Sequence, residues 1–354
     1  MPCQNKKISE LTKETPRKGD VFPIARLGGN FCIDLGTILS MGLFRKEKSA
    51  NYWRNPTDVA WSKTGDFSVS TATKIWVEVG GTVVEIAAST PVTMSIPIPG
   101  VDYAIWCNKD GELEAIQNQD NEPPSVDARK IGGFHYAPGG NASGRSGGDS
   151  TPQINEYSFW DLKFRPSCPD PRGMTLVANS FWSDIYLTRS NAASSDCSSV
   201  YNTTIADGSS PPSGYDSYTW FEAMELATSF GKKPPTQMEF MSLAYGSTEQ
   251  SSLGLDPIST VLSPTYTSRW GVIQATGILW VWARDRGGPF NTGSWNSNTD
   301  GRGSEFNAPN SCILGGAWNN LTNSGTRCSN WGHDASYSSE TVGSRFVCDH
   351  LQID

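Results

Sequence analysis

The chain has no apolar run approaching the roughly 18 residues of a membrane-spanning helix, so no transmembrane helix is expected. Its opening stretch, MPCQNKKISELTKETPRKGD, lacks the apolar h-region of a Sec signal, so neither membrane insertion nor Sec-type export is expected. There are only three histidines, and HExxH, Walker A and strand-led GxGxxG patterns are all missing, so the common metalloprotease and nucleotide signatures are absent. The eight cysteines (3, 32, 107, 168, 197, 312, 328, 348) never form CxxC, which argues against structural zinc. Their spacing leaves any disulfide pairing open. Mostly free, buried thiols in a protein assembled in a reducing cytoplasm are expected. Basic excess is missing too: 28 Lys and Arg face 36 Asp and Glu, for a net charge of −8, and no basic stripe appears. Nucleic acid is therefore not an expected partner.

Glycine and proline are plentiful. Thirty-five Gly and 22 Pro favour turns and short strands over long helices. Hydrophobic content of 37% with 18% charged residues fits an ordinary globular chain, and 354 residues allow two or three domains. Residues 1–48 read as a small block. In it Val21 to Ala25 and Phe31 to Leu35 form two strands about a Gly28-Gly29-Asn30 turn. Two strands bury too little surface to stand alone, so this block must pair with the rest of the chain or with copies of itself. Residues 49–155 read as a β-sandwich. Phe67–Ser70, Lys74–Val79, Thr82–Ile86 and Asp102–Trp106 are rich in β-branched and aromatic residues, and Gly80-Gly81 marks a hairpin. The Gly/Ser-rich segment from Pro138 to Gly148 reads as a flexible loop near the boundary.

Residues 156–354 read as an α+β domain with an aromatic core and many loops. The run Tyr218 to Phe230 sets Trp220, Phe221, Met224 and Ala227 at helical spacing and stops at Gly231. Thr236 with Glu239 forms a capping box for a second helix that ends before Gly246. His135, between Phe134 and Tyr136, reads as a packed strand residue, and His333 as an exposed loop residue. After Gly315-Gly316, an extended segment would send Ala317, Asn319, Leu321 and Asn323 one way and Trp318 the other. Trp318 would then face inward. Two readings fit that pattern: an ordinary exposed strand edge or loop, and a recognition surface.

Asp170-Pro171-Arg172-Gly173-Met174, Gly231 to Phe240, Gly277 to Trp282, Gly315 to Trp318 and Gly343-Ser344-Arg345-Phe346 follow one another in an order that resembles the C-type lectin fold in its formylglycine-generating-enzyme branch. In that enzyme two cysteines after the Gly-Gly-x-aromatic motif bind copper. The aligned positions here hold Asn320 and Gly325, which takes away the thiolate chemistry.

From about residue 60 onward a closer resemblance runs through Trp61 to Asp66, Asp102 to Ile105, Gly132 to Gly139, Ile154 to Ser158, Lys163 to Pro166 and Val347 to Leu351. These segments are similar to the major tropism determinant family, receptor-binding tail-fibre proteins of phages that are diversified by a retroelement. The resemblance implies a β-prism, a β-sandwich and a C-terminal C-type lectin domain, assembled as a homotrimer at the tail-fibre tip of a virion. Lys7 to Leu11 with Pro23 to Arg26 resembles the β-prism start of phage tail fibres.

With that family the diversified, ligand-contacting positions, within a variable region of about residues 301–354, fall on Ala317, Asn319, Leu321, Asn323, Asn330, Gly332, His333, Tyr337, Ser339, Thr341 and Val342. Trp318, Arg327, Trp331, Gly343 and Arg345 occupy scaffold positions. Randomised adenines in an AAC or AAT codon cannot produce Lys, Glu, Gln, Met or Trp, and none of these positions holds one. The implied partner is a host cell-surface protein or other surface receptor. No cofactor, metal or catalytic residue is implied, and the EPN and WND triplets of calcium-dependent lectins are absent. The alternatives are an enzyme of the formylglycine-generating type and a host-encoded display protein on the same scaffold.

Overall fold

A computed structural model describes residues 21–26, 29–34, 52–53 and 58–352, except 118–122, 126, 193–196, 291–294, 297–301 and 303. The Lys7 to Leu11 motif lies outside the described residues. The chain divides into two compact units, residues 1–52 and 53–354. In the first, β1 (Val21–Arg26) and β2 (Gly29–Asp34) pair antiparallel from Val21 opposite Asp34 to Arg26 opposite Gly29. The expected hairpin is present, but Gly29 and Asn30, expected in its turn, are already paired in β2, opposite Arg26 and Ala25.

The second unit is mostly β with two short α-helices among the described residues. It opens with two hairpins: β3 (Trp61–Gly65) with β4 (Ser68–Thr71), and β5 (Ile75–Val79) with β6 (Thr82–Ile86). Gly80 and Gly81 join the latter pair with φ of 57° and 87°, the left-handed backbone that a tight hairpin turn needs. In β5, Ile75, Val77 and Val79 are buried while Trp76 and Glu78 are half-buried, the period-2 pattern of a strand with one face inward. A larger sheet runs in the order Gln153–Ile154, β9 (Arg129–Ala137), β7 (Val101–Cys107), β8 (Leu113–Gln117), Thr93–Met94. Trp160–Asp161 also pairs with β9, at Gly132 and Gly133. There is no room for side chains at that crossing. A Cβ on Gly132 would lie 2.2 Å from Trp61 Nε1 and 2.6 Å from the Trp160 carbonyl oxygen.

No gap in the structure marks residue 155. The Trp61 indole donates to Trp160 O at 3.0 Å, and Ala60 N–H donates to Asp161 Oδ2 at 2.9 Å. His135 is buried on β9 as expected. Its ring nitrogens lie 3.2 Å from Asp102 Oδ1 and 2.9 Å from the Tyr186 hydroxyl, and Asp102 also accepts from Gly173 N–H at 3.0 Å. The segment from Pro138 to Gly148 is not a free linker. Gly140 N–H donates to Asp149, Gly147 N–H to Gly246 O and Gly148 N–H to Pro264 O, so distant backbone groups fasten it.

The remainder builds two four-stranded sheets. One has the order β10 (Phe164–Pro166), β17 (Val347–Gln352), β12 (Phe181–Asp184), β11 (Met174–Val177). The other runs β15 (Ser329–His333), β14 (Pro309–Leu314), β13 (Trp280–Phe290), β16 (Val342–Gly343). Helix α1 (Trp220–Ser229) starts at a Thr219/Glu222 capping box, and α2 (Gln237–Leu243) at the expected Thr236/Glu239 box. Both helices end near the expected glycines, Gly231 and Gly246, which have positive φ. The inward stripe of α1 is Ala223, Leu226 and Ala227, whereas Phe221 and Met224 are only half-buried. Helical spacing alone therefore chose the neighbouring stripe. Between the sheets Arg345 is fully buried, and its guanidinium donates to the carbonyls of Asp184, Ile185, Ile273 and Gln274. One side chain thus ties together backbone segments about 70 and 160 residues away along the chain.

Candidate functional site

The segment from Gly315 to Gly343 leaves β14, turns back through β15 and ends on β16. Gly315 and Gly316, at φ of 93° and 82°, start a turn whose main chain is held from outside the segment. Trp318 N–H donates to Ile278 O at 2.8 Å, and Trp318 O accepts from Gly254 N–H and from the Ser252 hydroxyl. Leu321 N–H donates to Ser252 Oγ at 3.0 Å. Glu249 takes Thr326 N–H at 2.9 Å on one oxygen and the Thr326 hydroxyl at 2.7 Å on the other. Within the turn, Asn320 Oδ1 accepts from Ala317 N–H at 2.7 Å. The backbone is satisfied by groups that do not depend on the side chains at 319, 321 and 323. Those three side chains are exposed, Leu321 to 66%.

The turn is not the expected extended strand. Leu321–Asn323 is a 3-10 turn, and Leu321 lies in the left-handed region at φ 50°. Strict alternation therefore fails at its first member. Ala317, expected to face outward, is 0% exposed, because the glycine pair and the bond from Asn320 press it inward. Trp318 packs against the core but stays half-buried. Val342 is also 0% exposed, on β16 in the interior beside β13, so it does not face solvent either.

The remaining candidates gather next to one another. His333 stacks on Tyr337 with ring centroids 3.8 Å apart and planes 19° off parallel. The Asn330 amide lies 3.1 Å from His333 Nε2, and Asn330 Oδ1 accepts from Gly332 N–H at 2.9 Å. Tyr337 rests part of its ring on the cluster around Tyr218 and Trp282. Ser339 and Thr341 hydroxyls meet at 3.0 Å. Burial lowers the His333 pKa, with Asp334 acting weakly in the other direction. The ring is thereby favoured as the neutral base, which accepts from the Asn330 amide through Nε2.

Two features next to this face carried no signal in the sequence. A cleft of about 730 Å³ reaches Asn323 and is lined by Met238, Met241, Tyr245, Trp270 and Arg327. Arg145 lies over the Tyr245 ring at 5.7 Å. Leu253, Leu255 and Ile258 are exposed on the irregular stretch whose Gly254 holds Trp318. Their closeness depends on contacts some 65 residues apart along the chain, which local periodicity does not report. The copper-ligand positions of the enzyme branch hold Asn320, committed to the turn, and buried Gly325.

A fixed main chain displaying replaceable side chains is the construction of a binding scaffold. Residues 59–161 match the family model described as the second domain of Mtd. The chain is 40% identical over 367 aligned positions to a tail fiber receptor-binding protein of Bordetella phage BPP-1, covering 98% of this chain and 94% of that protein. Among solved structures, the Major Tropism Determinant U1 variant matches with a TM-score of 0.81 at 42% identity, covering 84% of this chain and 85% of that one. The I1 variant matches with a TM-score of 0.82 at 41% identity, covering 86% and 87%. By class the Bordetella phage relative is a tail-fibre protein that binds a receptor. The chain belongs to the major tropism determinant family.

Proposed function

We propose that this chain is the receptor-binding protein of a phage or virus tail fibre, acting at the fibre tip as a homotrimer. In this reading residues 1–48 form a β-prism-like trimerisation segment, residues 49–155 a β-sandwich and residues 156–354 a C-type lectin-type domain. A retroelement diversifies the exposed positions of the Gly315–Gly343 segment. The ligand is a host surface receptor, contacted by Asn319, Leu321, Asn323, Asn330, Gly332, His333, Tyr337, Ser339 and Thr341. One observation carries the reading. The turn is fastened from outside by Ile278, Ser252, Gly254 and Glu249, while its exposed side chains are left without structural duties. Sequence can therefore change there at a cost of about 0.5 kcal/mol per position.

Tyr337 is the aromatic anchor of the face, and weak single-site contacts gain strength from three copies bound together. The test replaces Asn319, Asn323, Asn330, Tyr337 and Thr341 together with alanine. Binding to the host cell should disappear while the thermal midpoint stays within a few degrees. An unfolded variant, or one that still binds, would overturn this assignment of the face. Turnover of a cysteine-containing peptide with copper would favour the enzyme instead.

A further inference from the structure

Two cysteines separated by most of the second unit meet beside the last rung of an antiparallel pair. In the β10–β17 pair Pro166 sits opposite His350, and Ser167 N–H donates to Asp349 O at 2.9 Å. The ladder ends there, and the chain bends at Ser167 and Cys168, which sets Cys168 in the same buried cluster as Cys348 of β17.

Both side chains turn into one closed cluster, at 0% and 2% exposure. Met174 Sδ lies 3.3 Å from Cys168 Sγ and 4.0 Å from Cys348 Sγ. The Cys168 thiol is within hydrogen-bonding reach of the Cys348 sulfur, and the Lys232 ammonium acts on both. The other described thiols differ. Burial pushes Cys107 and Cys328 up to about 11 and Cys197 and Cys312 to about 12, so they stay protonated near neutral pH. Cys348 is drawn down to about 7, first by the bond from Cys168, which is itself pushed up. The pair thus shares one proton near neutral pH, leaving a nucleophilic sulfur beside a second one.

We propose that Cys168 and Cys348 form a redox latch, two thiols during synthesis in the reducing cytoplasm and a disulfide once the particle meets an oxidising medium. The oxidant is a small-molecule disulfide. The Cys348 thiolate attacks one of its sulfurs, giving a mixed disulfide and releasing one thiolate. Cys168 then loses its proton and attacks Cys348 Sγ, and the second thiolate leaves. Two cysteine thiols are oxidised, and the reagent is reduced to two free thiols that take up the two protons. The bond closes a loop that contains the whole Gly315–Gly343 segment and pins β17 at its far end. It would hold the base of the recognition face whatever side chains that face carries. The oxidising setting rests on the proposed tail-fibre role, but the chemistry does not involve the receptor.

The test incubates the full chain with excess oxidised glutathione at mildly alkaline pH. Thiols are then blocked under denaturing conditions and peptides mapped without reduction. A peptide pair joined through Cys168 and Cys348 is expected. The thermal midpoint should rise by about 4 °C or more and return on reduction. Neither change should occur in Cys168→Ser or Cys348→Ser. Recovery of both cysteines as blocked thiols, pairing of either with Cys197, or a joined pair without a rise in midpoint would each overturn the latch. The wild-type map stands even if a serine variant folds poorly, and loss of receptor binding leaves it untouched.

Discussion

His333 is the titrating side chain of the proposed receptor face, and its environment sets the sign of a pH effect. Burial lowers its pKa from the ordinary value of about 6.5, so its stabilising arrangement is complete above that value. It is lost as pH falls through the lowered folded value, when protonation removes the acceptor that Nε2 offers to the Asn330 amide. Cell binding should therefore be flat from neutral pH upward and fall in mildly acidic buffer. His333→Phe, which keeps a ring against Tyr337, should flatten that profile, and an unchanged acid limb would count against this role. Asp184 illustrates the opposite kind of residue. Its carboxylate lies 2.6 Å from Lys232 Nζ with both side chains buried, and it accepts from Ser198 as well. Asp184→Asn leaves an ammonium uncompensated in the interior and should cost about 3–5 kcal/mol in a denaturant titration. Leu321 tolerates change in the other direction. At φ 50° with an exposed side chain, Leu321→Asn should be neutral or slightly stabilising, because asparagine accepts that backbone more readily.

At the scale of the element, the turn from Gly315 to Gly325 behaves differently from its strand-like pattern. An isolated extended segment would show alternation, but the turn's hydrogen bonds go to Ile278, Ser252 and Glu249, not to a neighbouring strand. Trp318 consequently ends half-buried, with its indole nitrogen enclosed and unpartnered among the described residues. Trp318→Ala should cost about 2–4 kcal/mol, less than the full loss of a completely buried tryptophan. Calorimetry that found no change in midpoint would show that the ring does not support the turn. The crossing of β9 with Trp61 and Trp160 is far less forgiving. Gly132→Ala inserts a carbon against an indole and a carbonyl, and with backbone on one side the strand has nowhere to move. Poor soluble expression, or a loss above about 3 kcal/mol, is expected there.

At the scale of the whole molecule, the hairpin described in the first unit buries too little surface by itself, so in the proposed trimer association of copies is the expected source of its stability. Light scattering should give a mass near three times 38.4 kDa, and a monomer at micromolar concentration would refute the trimer. What the sequence by itself determined were the features written in neighbouring residues. The β1–β2 and β5–β6 hairpins follow from their glycines, the α2 start from Thr236 and Glu239, and the His135 packing from its aromatic neighbours. Each depends on interactions within a few positions, so local pattern carries the information. The tertiary structure alone decided that Ala317 and Val342 turn inward and that the Pro138–Gly148 segment is fastened instead of free. It also put Met238 and Trp270 in one cleft with Asn323, and Cys168 in one buried cluster with Cys348. Those outcomes depend on partners tens to nearly two hundred residues away, brought near only by the tertiary fold. A chain read residue by residue holds no record of which distant carbonyl will accept a given N–H, and here those acceptors separate scaffold from surface.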